Sequence, residues 1–229
     1  MAGFDFDVIQ RSLPYLFLEG MRFTLTLTAL AALGGIAFGT LLALVRLAAV
    51  QPFALLAAGY VNLMRAVPLV LVIFWFYFLV PYMGQWITGA ERPIAVGAFW
   101  SSLITFTLFE AAYFSEIMRA GIQSIPRAQV QASYALGMTY LQTIASIVLP
   151  QALRNMLPVL LTQTIILFQD TSLVYVLSIT DFLGAASKVA RRDGRLVEMY
   201  LFAAFVYFLI SLAASQLVRR LQRRVAIVK

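Results

Sequence analysis

The sequence predicts an all-α integral membrane protein, and three features carry that prediction. Of 229 residues, 62% are hydrophobic and 12% charged, whereas a soluble domain is nearer half apolar and a quarter charged. The apolar excess gathers into five stretches long enough to cross a hydrocarbon core of about 30 Å. The net charge of +7 reads as lysine and arginine flanking those stretches rather than as a nucleic-acid surface.

The N-terminus begins MAGFDFDVIQ. It lacks the basic n-region of a cleavable signal, so the first span is expected to stay in the mature protein. Phe6, Ile9, Leu13 and Leu16 recur at helical spacing, with Asp7, Arg11 and Ser12 between them. That pattern predicts an amphipathic interfacial helix within residues 1–19. The first span is expected from Phe23 to Val45. It holds Thr24, Thr26 and Thr28, whose hydroxyls can bond the carbonyl one turn back, and Gly35 and Gly39, a small-x-x-x-small pair for close helix approach within the chain or between chains.

The second span is irregular. Ala54 to Met64 leads to Arg65 and Pro68, and the apolar run beyond ends at Pro81; Pro68 is expected to start or kink its deeper part. Arg65 reads as an interfacial anchor or part of an inner gate. Three more spans follow, at about Ile94 to Ile117, Leu153 to Ile179 and Met199 to Leu217. The membrane domain therefore covers 20–218, with a basic tail over 219–229.

Lysine and arginine set the orientation. With the N-terminus outside, the inner side holds Arg46, Arg65, Arg119, Arg127, Arg154, Arg219, Arg220, Arg223, Arg224 and Lys229. The outer side holds Arg11, Arg22, Arg92, Lys188, Arg191, Arg192 and Arg195. The balance favours a periplasmic N-terminus and a cytoplasmic C-terminus.

Composition also excludes chemistry. There is no cysteine and no histidine, which removes thiol nucleophiles, imidazole bases and the common zinc sites. No phosphate-cradling G-x-x-x-x-G-K-[ST] loop is present, so no cofactor and no metal is expected in this chain. A membrane enzyme is the weakest reading.

The wettest part of the chain lies between the third and fourth spans. Pro126 to Leu136 predicts a short helix, with Pro126 in its first turn, Ser124 capping from upstream and Gly137 in the left-handed position that ends it. Arg127, Gln129, Gln131 and Ser133 alternate with Val130, Ala132, Tyr134 and Leu136. Such a helix is either a docking knob for a partner or an ordinary solvated loop helix.

Here the sequence resembles a family. Importer permeases of the ATP-binding-cassette class carry the pattern E-A-A-x-x-x-G-x(9)-I-x-L-P. Gln131, Ala132, Ser133, Gly137, Ile147, Leu149 and Pro150 fall at its positions with every spacing kept; Gln131 and Ser133 stand where the pattern has Glu and Ala. The stretches YVNLMRAVPLVLVIFWFYFLVP (60–81), FEAAYFSEIMRAGIQSI (109–125) and LFQDTSLVYVLS (167–178) resemble the polar-amino-acid subgroup, and within it permeases of glutamate/aspartate importers. The resemblance implies a five-span type I permease fold in the bacterial inner membrane. It implies a coupling helix at about 126–137 that docks an ATPase through Arg127 and the motif residues. The implied partners are a second similar permease or a second copy, two ATPase subunits that bind ATP and Mg, and a periplasmic amino-acid-binding protein.

Carboxylates at membrane depth are functional candidates. Asp170 shares a helix face with Gln163 and Ile166 and suits a substrate's α-ammonium, while Gln169, Thr171 and Ser172 can donate to its carboxylates. Alternatively Asp170 caps a helix break by accepting from the amides of Ser172 and Leu173. Glu110 is expected to face the bundle or a partner, and Glu116 to pair with Arg119 or Arg154. The basic cluster Lys188, Arg191, Arg192 and Arg195 can attract an acidic substrate or an acidic protein face, or contact lipid phosphates. Beside the glutamate/aspartate reading stand a permease for another polar amino acid such as glutamine, a passive channel and an assembly subunit.

Overall fold

A computed structural model describes residues 4–48 and 51–225, which form helices and no strand. Helix α1 (Phe6–Leu47) is one rod of 42 residues with a π turn at Leu16–Met21. The Asp5 carboxylate opens it by accepting from the amides of Asp7 and Val8 at 3.0 and 3.3 Å. The expected N-terminal helix is present but continues into the first span. Its inward face is Val8, Ser12 and Leu16, while Phe6 is exposed and Ile9 half-buried. Ile9 packs against the core from its edge, and Phe6 and Leu13 lie on the outer side of the helix.

Helix α2 (Gln51–Ala66) stops at the Val67–Pro68 break, and α3 (Leu69–Thr88) restarts with Pro68 at its N-cap. Pro68 thus starts the deeper segment. Pro81, by contrast, does not end it, because a π turn at Trp75–Leu79 comes just before and the helix runs on to Thr88. A proline lacks the N–H that would close the preceding turn, and a wider turn takes up the freed carbonyl. Pro150 repeats the device after the π turn Ile144–Val148.

Helix α4 (Ala98–Gln123) is the central post. At Gly39 of α1 an added Cβ would lie 2.8 Å from the Ala111 carbonyl oxygen and 2.8 Å from Phe114 Cβ. The glycine pair therefore serves packing within the chain. Phe106, Phe114, Ala111 and Ala112 are fully buried along α4. A short helix α5 (Arg127–Ala135) follows. Next comes α6 (Tyr140–Leu177), whose last seven residues, Thr171–Leu177, tighten into a 3-10 helix. An amphipathic α7 (Phe182–Asp193) and a final α8 (Leu196–Val225) complete the chain.

Among the described residues, four stretches are long and apolar enough to cross a membrane: Phe6–Leu47, Leu69–Thr88, Tyr140–Leu177 and Leu196–Arg224. At 26 residues, α4 spans about 39 Å, but it carries Glu110, Glu116 and Arg119. Glu110 is fully buried among the neighbouring helices, and Glu116 and Arg119 pair with each other. Arg219 to Arg224 of the basic tail lie on the end of α8, and Lys229 lies outside the described residues.

The turn between α7 and α8 is stapled to the chain's beginning. Arg11 reaches Asp193 at 3.0 Å, and Arg195 reaches Asp5 at 3.5 Å and Glu198 at 3.2 Å. Beneath it, Phe182, Leu16, Val8 and Met199 form one core with Phe168.

Candidate functional site

The Val67–Pro68 break opens a cavity of about 410 Å³ between α2, α3, α4 and α6. A broken helix frees main chain and space that a continuous rod would fill, which suits a transport site. Arg65 comes from the end of α2, Glu110 and Tyr113 from α4, and Gln163, Ile166 and Asp170 from one face of α6. Positions 163, 166 and 170 are spaced by three and four, so helical period alone brings them together.

Gln163 donates to Glu110 Oε2 at 3.0 Å. Glu110 Oε1 is buried and finds no partner among the described residues, so the cavity offers an acceptor waiting for a donor. Asp170 lines the same space, and its carboxylate caps nothing among the described residues. The capping reading of Asp170 is therefore corrected, and the carboxylate that caps the next helix is Asp181. Its oxygens accept from the amides of Leu183 at 3.0 Å and Gly184 at 2.9 Å and start α7. Burial pushes the Asp181 carboxyl up to about 7, against the opposing pull of the Gly184 and Leu183 amides.

The other α6 candidates leave the cavity. Gln169 donates to Ser211 of α8 at 3.0 Å. Thr171 is buried and donates to the Phe168 carbonyl at 2.7 Å. Ser172 is half-buried on the 3-10 turn and does not line the cavity. Once α6 tightens after Asp170, each following residue turns by a larger angle than the α period assumes.

At one end of the cavity Glu116 holds a knot of cations. Arg46 donates to its Oε1 at 2.6 Å and Arg119 to its Oε2 at 2.6 Å, while Arg65 stands 3.8 Å away. Arg119 is the partner expected from sequence. Arg154 is exposed and not part of the knot, and Arg46 takes the place assigned to it. Arg46 lies 70 positions from Glu116, a distance at which no local pattern points to the contact.

The polar knob is α5. Pro126 occupies its N-cap, and Gly137 follows it at φ +80°, a left-handed conformation that disfavours a side chain. Ser124 does not cap α5. Its hydroxyl donates to the Gly121 carbonyl at 2.7 Å and accepts from Asn155 at 2.8 Å, closing α4 instead. Arg127, Gln131 and Ala132 are exposed. Ser133 points inward, donating to the Val130 carbonyl at 2.8 Å and sharing a 2.9 Å hydrogen bond with the buried Thr143 hydroxyl. Ile147 sits in the π turn and Leu149 and Pro150 just after it. The motif thus spans the knob and the root of α6. Beside it Tyr134, Leu136, Tyr140 and Leu141 are exposed, an apolar patch of the kind that marks a protein interface.

In the basic cluster, Arg195 is engaged by Asp5 and Glu198, Arg192 by Asp193 at 2.8 Å, and Lys188 by the Thr180 hydroxyl. Lys188 and Arg191 border a second depression beside Ser178 and Ser187.

Comparison with known proteins gives a consistent picture. Residues 15–227 match the family described as "Binding-protein-dependent transport system inner membrane component". The sequence is 53% identical over 226 residues to the glutamate/aspartate import permease protein GltK of Escherichia coli O6:H1, covering 99% of this chain and 100% of that one. It is 33% identical to the L-cystine transport system permease protein TcyB of Bacillus subtilis, covering 98% and 94% of the two. Among solved structures, an amino acid ABC transporter crystallised with histidines superposes with a TM-score of 0.88 at 30% identity, covering 98% of this chain and all of that one. The MetNI methionine transporter shares the fold at a TM-score of 0.71 and 19% identity, over 93% and 97% of the two chains.

Proposed function

The chain belongs to the family of binding-protein-dependent transport system inner membrane components, and from that membership we propose that it is the permease subunit of an ATP-driven importer of glutamate and aspartate. The observation that carries the substrate is its similarity along the whole chain to a glutamate/aspartate import permease. A transport component of the inner membrane is not itself catalytic; ATP and Mg belong to partner ATPase subunits.

The proposed architecture has five spans, formed by α1 beyond its π turn, α3, α4, α6 and α8. The N-terminus and α7 lie on the periplasmic side, and α5 and the C-terminus on the cytoplasmic side. Residues 1–19 lie at the outer interface, 20–218 form the permease domain with its coupling helix at about 126–137, and 219–229 form a basic cytoplasmic tail. The partners are a second permease or a second copy, two ATP-binding subunits, a periplasmic amino-acid-binding protein and the surrounding lipid.

Coupling runs through Arg127, Gln131, Ala132, Ser133, Gly137, Ile147, Leu149 and Pro150. The exposed knob seats in the ATPase, and the Ser133–Thr143 hydrogen bond with the π turn carries its movement into α6. Nucleotide binding draws the coupling helices together and opens the cavity outward; hydrolysis resets it. The switch works by different affinity of its two states for nucleotide. Within the cavity, Asp170 and Glu110 face the substrate's α-ammonium, with Gln163 holding Glu110. Gln169, Thr171 and Ser172 act on the pathway only indirectly, by fixing the α6–α8 contact and the 3-10 turn.

The test is ATP hydrolysis by the reconstituted complex, stimulated by the cognate binding protein loaded with one amino acid at a time. Glutamate and aspartate are expected to stimulate most. Stronger stimulation by glutamine would transfer the assignment to the amide. Ion conduction in bilayers without nucleotide would replace the importer reading with a channel.

A further inference from the structure

We propose that Arg65 is the specificity-determining residue that takes the side-chain carboxylate of a dicarboxylic amino acid in the cavity. The inference rests on the acidic-substrate reading above and adds to it the residue that separates an acid from its amide.

The cavity wall carries two carboxylates, Glu110 and Asp170, and one cation, Arg65. Two acids alone suit the α-ammonium that every amino acid has and repel the group peculiar to glutamate or aspartate. A binding site for a dicarboxylate needs a cation that is not already neutralised. Arg65 meets that requirement through its surroundings. Glu116, the one acid near it on the cytoplasmic side, has both oxygens occupied at 2.6 Å by Arg46 and Arg119. Arg65 stands off at 3.8 Å with 43% of its side chain exposed. Around a single acid, three arginines leave excess positive charge, and Arg65 is the member that reaches the cavity.

Its guanidinium also lies over the Tyr113 ring, 5.6 Å from the centroid. A cation on an aromatic face keeps its charge and its N–H edge free, and a planar guanidinium can accept a carboxylate in two-point fashion. Tyr113 lies between Glu110 and Glu116 on α4 and lines the same cavity. Tyr113 of α4 therefore seats the Arg65 cation of α2 one turn from the Glu110 carboxylate on the same helix.

The experiment is equilibrium binding of radiolabelled glutamate, with glutamine as competitor, to the purified permease–ATPase complex without its binding protein. This takes the binding protein's own selectivity out of the measurement. The wild type is expected to prefer glutamate. Arg65→Gln should weaken glutamate binding about tenfold to a hundredfold, the size of a charge-assisted contact, and leave glutamine binding as it was. Arg65→Lys should keep part of the preference. Glu116→Gln, which removes the close pairs with Arg46 and Arg119 but only a 3.8 Å contact of Arg65, should keep the preference.

An unchanged preference in Arg65→Gln overturns the inference and leaves the acidic substrate standing. Equal loss of both ligands, or the same loss of preference in Glu116→Gln, assigns Arg65 to the knot and overturns it as well. A wild-type complex that prefers glutamine, or binds neither, overturns the acidic-substrate reading itself.

Discussion

Glu116 and Asp170 are both acids inside the helical bundle, and their surroundings give them opposite tasks. Glu116 is saturated by arginines from two helices. Removing one partner of such an arrangement leaves the others uncompensated. Glu116→Gln is therefore expected to cost about 2–3 kcal/mol of stability, the scale of a lost charge-assisted hydrogen bond. The check is the thermal midpoint of the purified complex, and an unmoved midpoint removes the structural role. Asp170 has space in front of it instead of a partner. Asp170→Asn is expected to lower glutamate uptake about tenfold or more, by the same reasoning for the α-ammonium. Uptake at the wild-type level would mean that Glu110 serves alone. The Gln163–Asp170 face was legible from sequence because four-residue and three-residue steps hold as long as the helix stays α. Thr171 and Ser172 turn away because the 3-10 turn breaks that period, and Gln169, still on the α-helical part, lies off the Gln163–Asp170 face and meets Ser211 of α8. Arg46 and Arg65 gather at Glu116 through packing of three helices, which no local pattern records.

Between residues and the whole molecule, the helices work by their interruptions. Pro81 reads in sequence as the end of a span, yet it and Pro150 each follow a π turn that lets the helix continue. Gly39 and Gly137 are needed for different reasons. At Gly39 an added Cβ meets main chain at 2.8 Å, which cannot yield as a flexible side chain would. Gly39→Val should separate α1 from α4 and cost about 1–3 kcal/mol or more, as overpacking does, visible as lost assembly on size exclusion. At Gly137 there is open space, and the constraint is the φ of +80°. Gly137→Ala should strain the backbone by about 1–2 kcal/mol and reduce ATPase stimulation while substrate binding persists. Equal stimulation in Gly137→Ala would detach this glycine from coupling. The cap of α7 carries a pH dependence. The Asp181 carboxyl is raised to about 7 by burial, above its ordinary unfolded value near 3.9. The folded state therefore holds this proton more tightly than the unfolded one. The stabilisation from that proton is complete below the unfolded value and is lost as pH rises towards 7. Asp181→Asn keeps a capping oxygen and should flatten the stability profile between about pH 4 and pH 7. A melting curve that keeps its slope across that window removes Asp181 as the source.

On the scale of the molecule, the proposed topology makes one claim that a simple measurement decides: α7 and the end of α8 should lie on opposite sides of the membrane. Counting lysine and arginine gave only a small excess for the inner side, and the cluster from Lys188 to Arg195 opposed it. The structure explains that cluster in part. Arg192 and Arg195 are taken up by Asp193, Asp5 and Glu198, which staple the α7–α8 turn to the start of α1. Much of this charge is therefore internally balanced and weighs less in setting orientation. What remains free to act on an acidic ligand or lipid phosphate is centred on Arg191, with Lys188 held by Thr180. The chain has no cysteine, so single cysteines report without background. Arg191→Cys and Arg220→Cys both place an exposed thiol on a helix. In intact cells with a permeabilised outer membrane, a membrane-impermeant maleimide should label the first and spare the second. Inside-out vesicles should reverse the pattern. Labelling of both from one side would require an even number of crossings between α7 and the end of α8, and with it a different fifth span. The same Arg191→Cys protein separates steering from lipid contact. Reaction with a negatively charged methanethiosulfonate should slow glutamate uptake at low salt and lose its effect at high salt if the patch steers substrate. Uptake indifferent to the added charge assigns the patch to lipid.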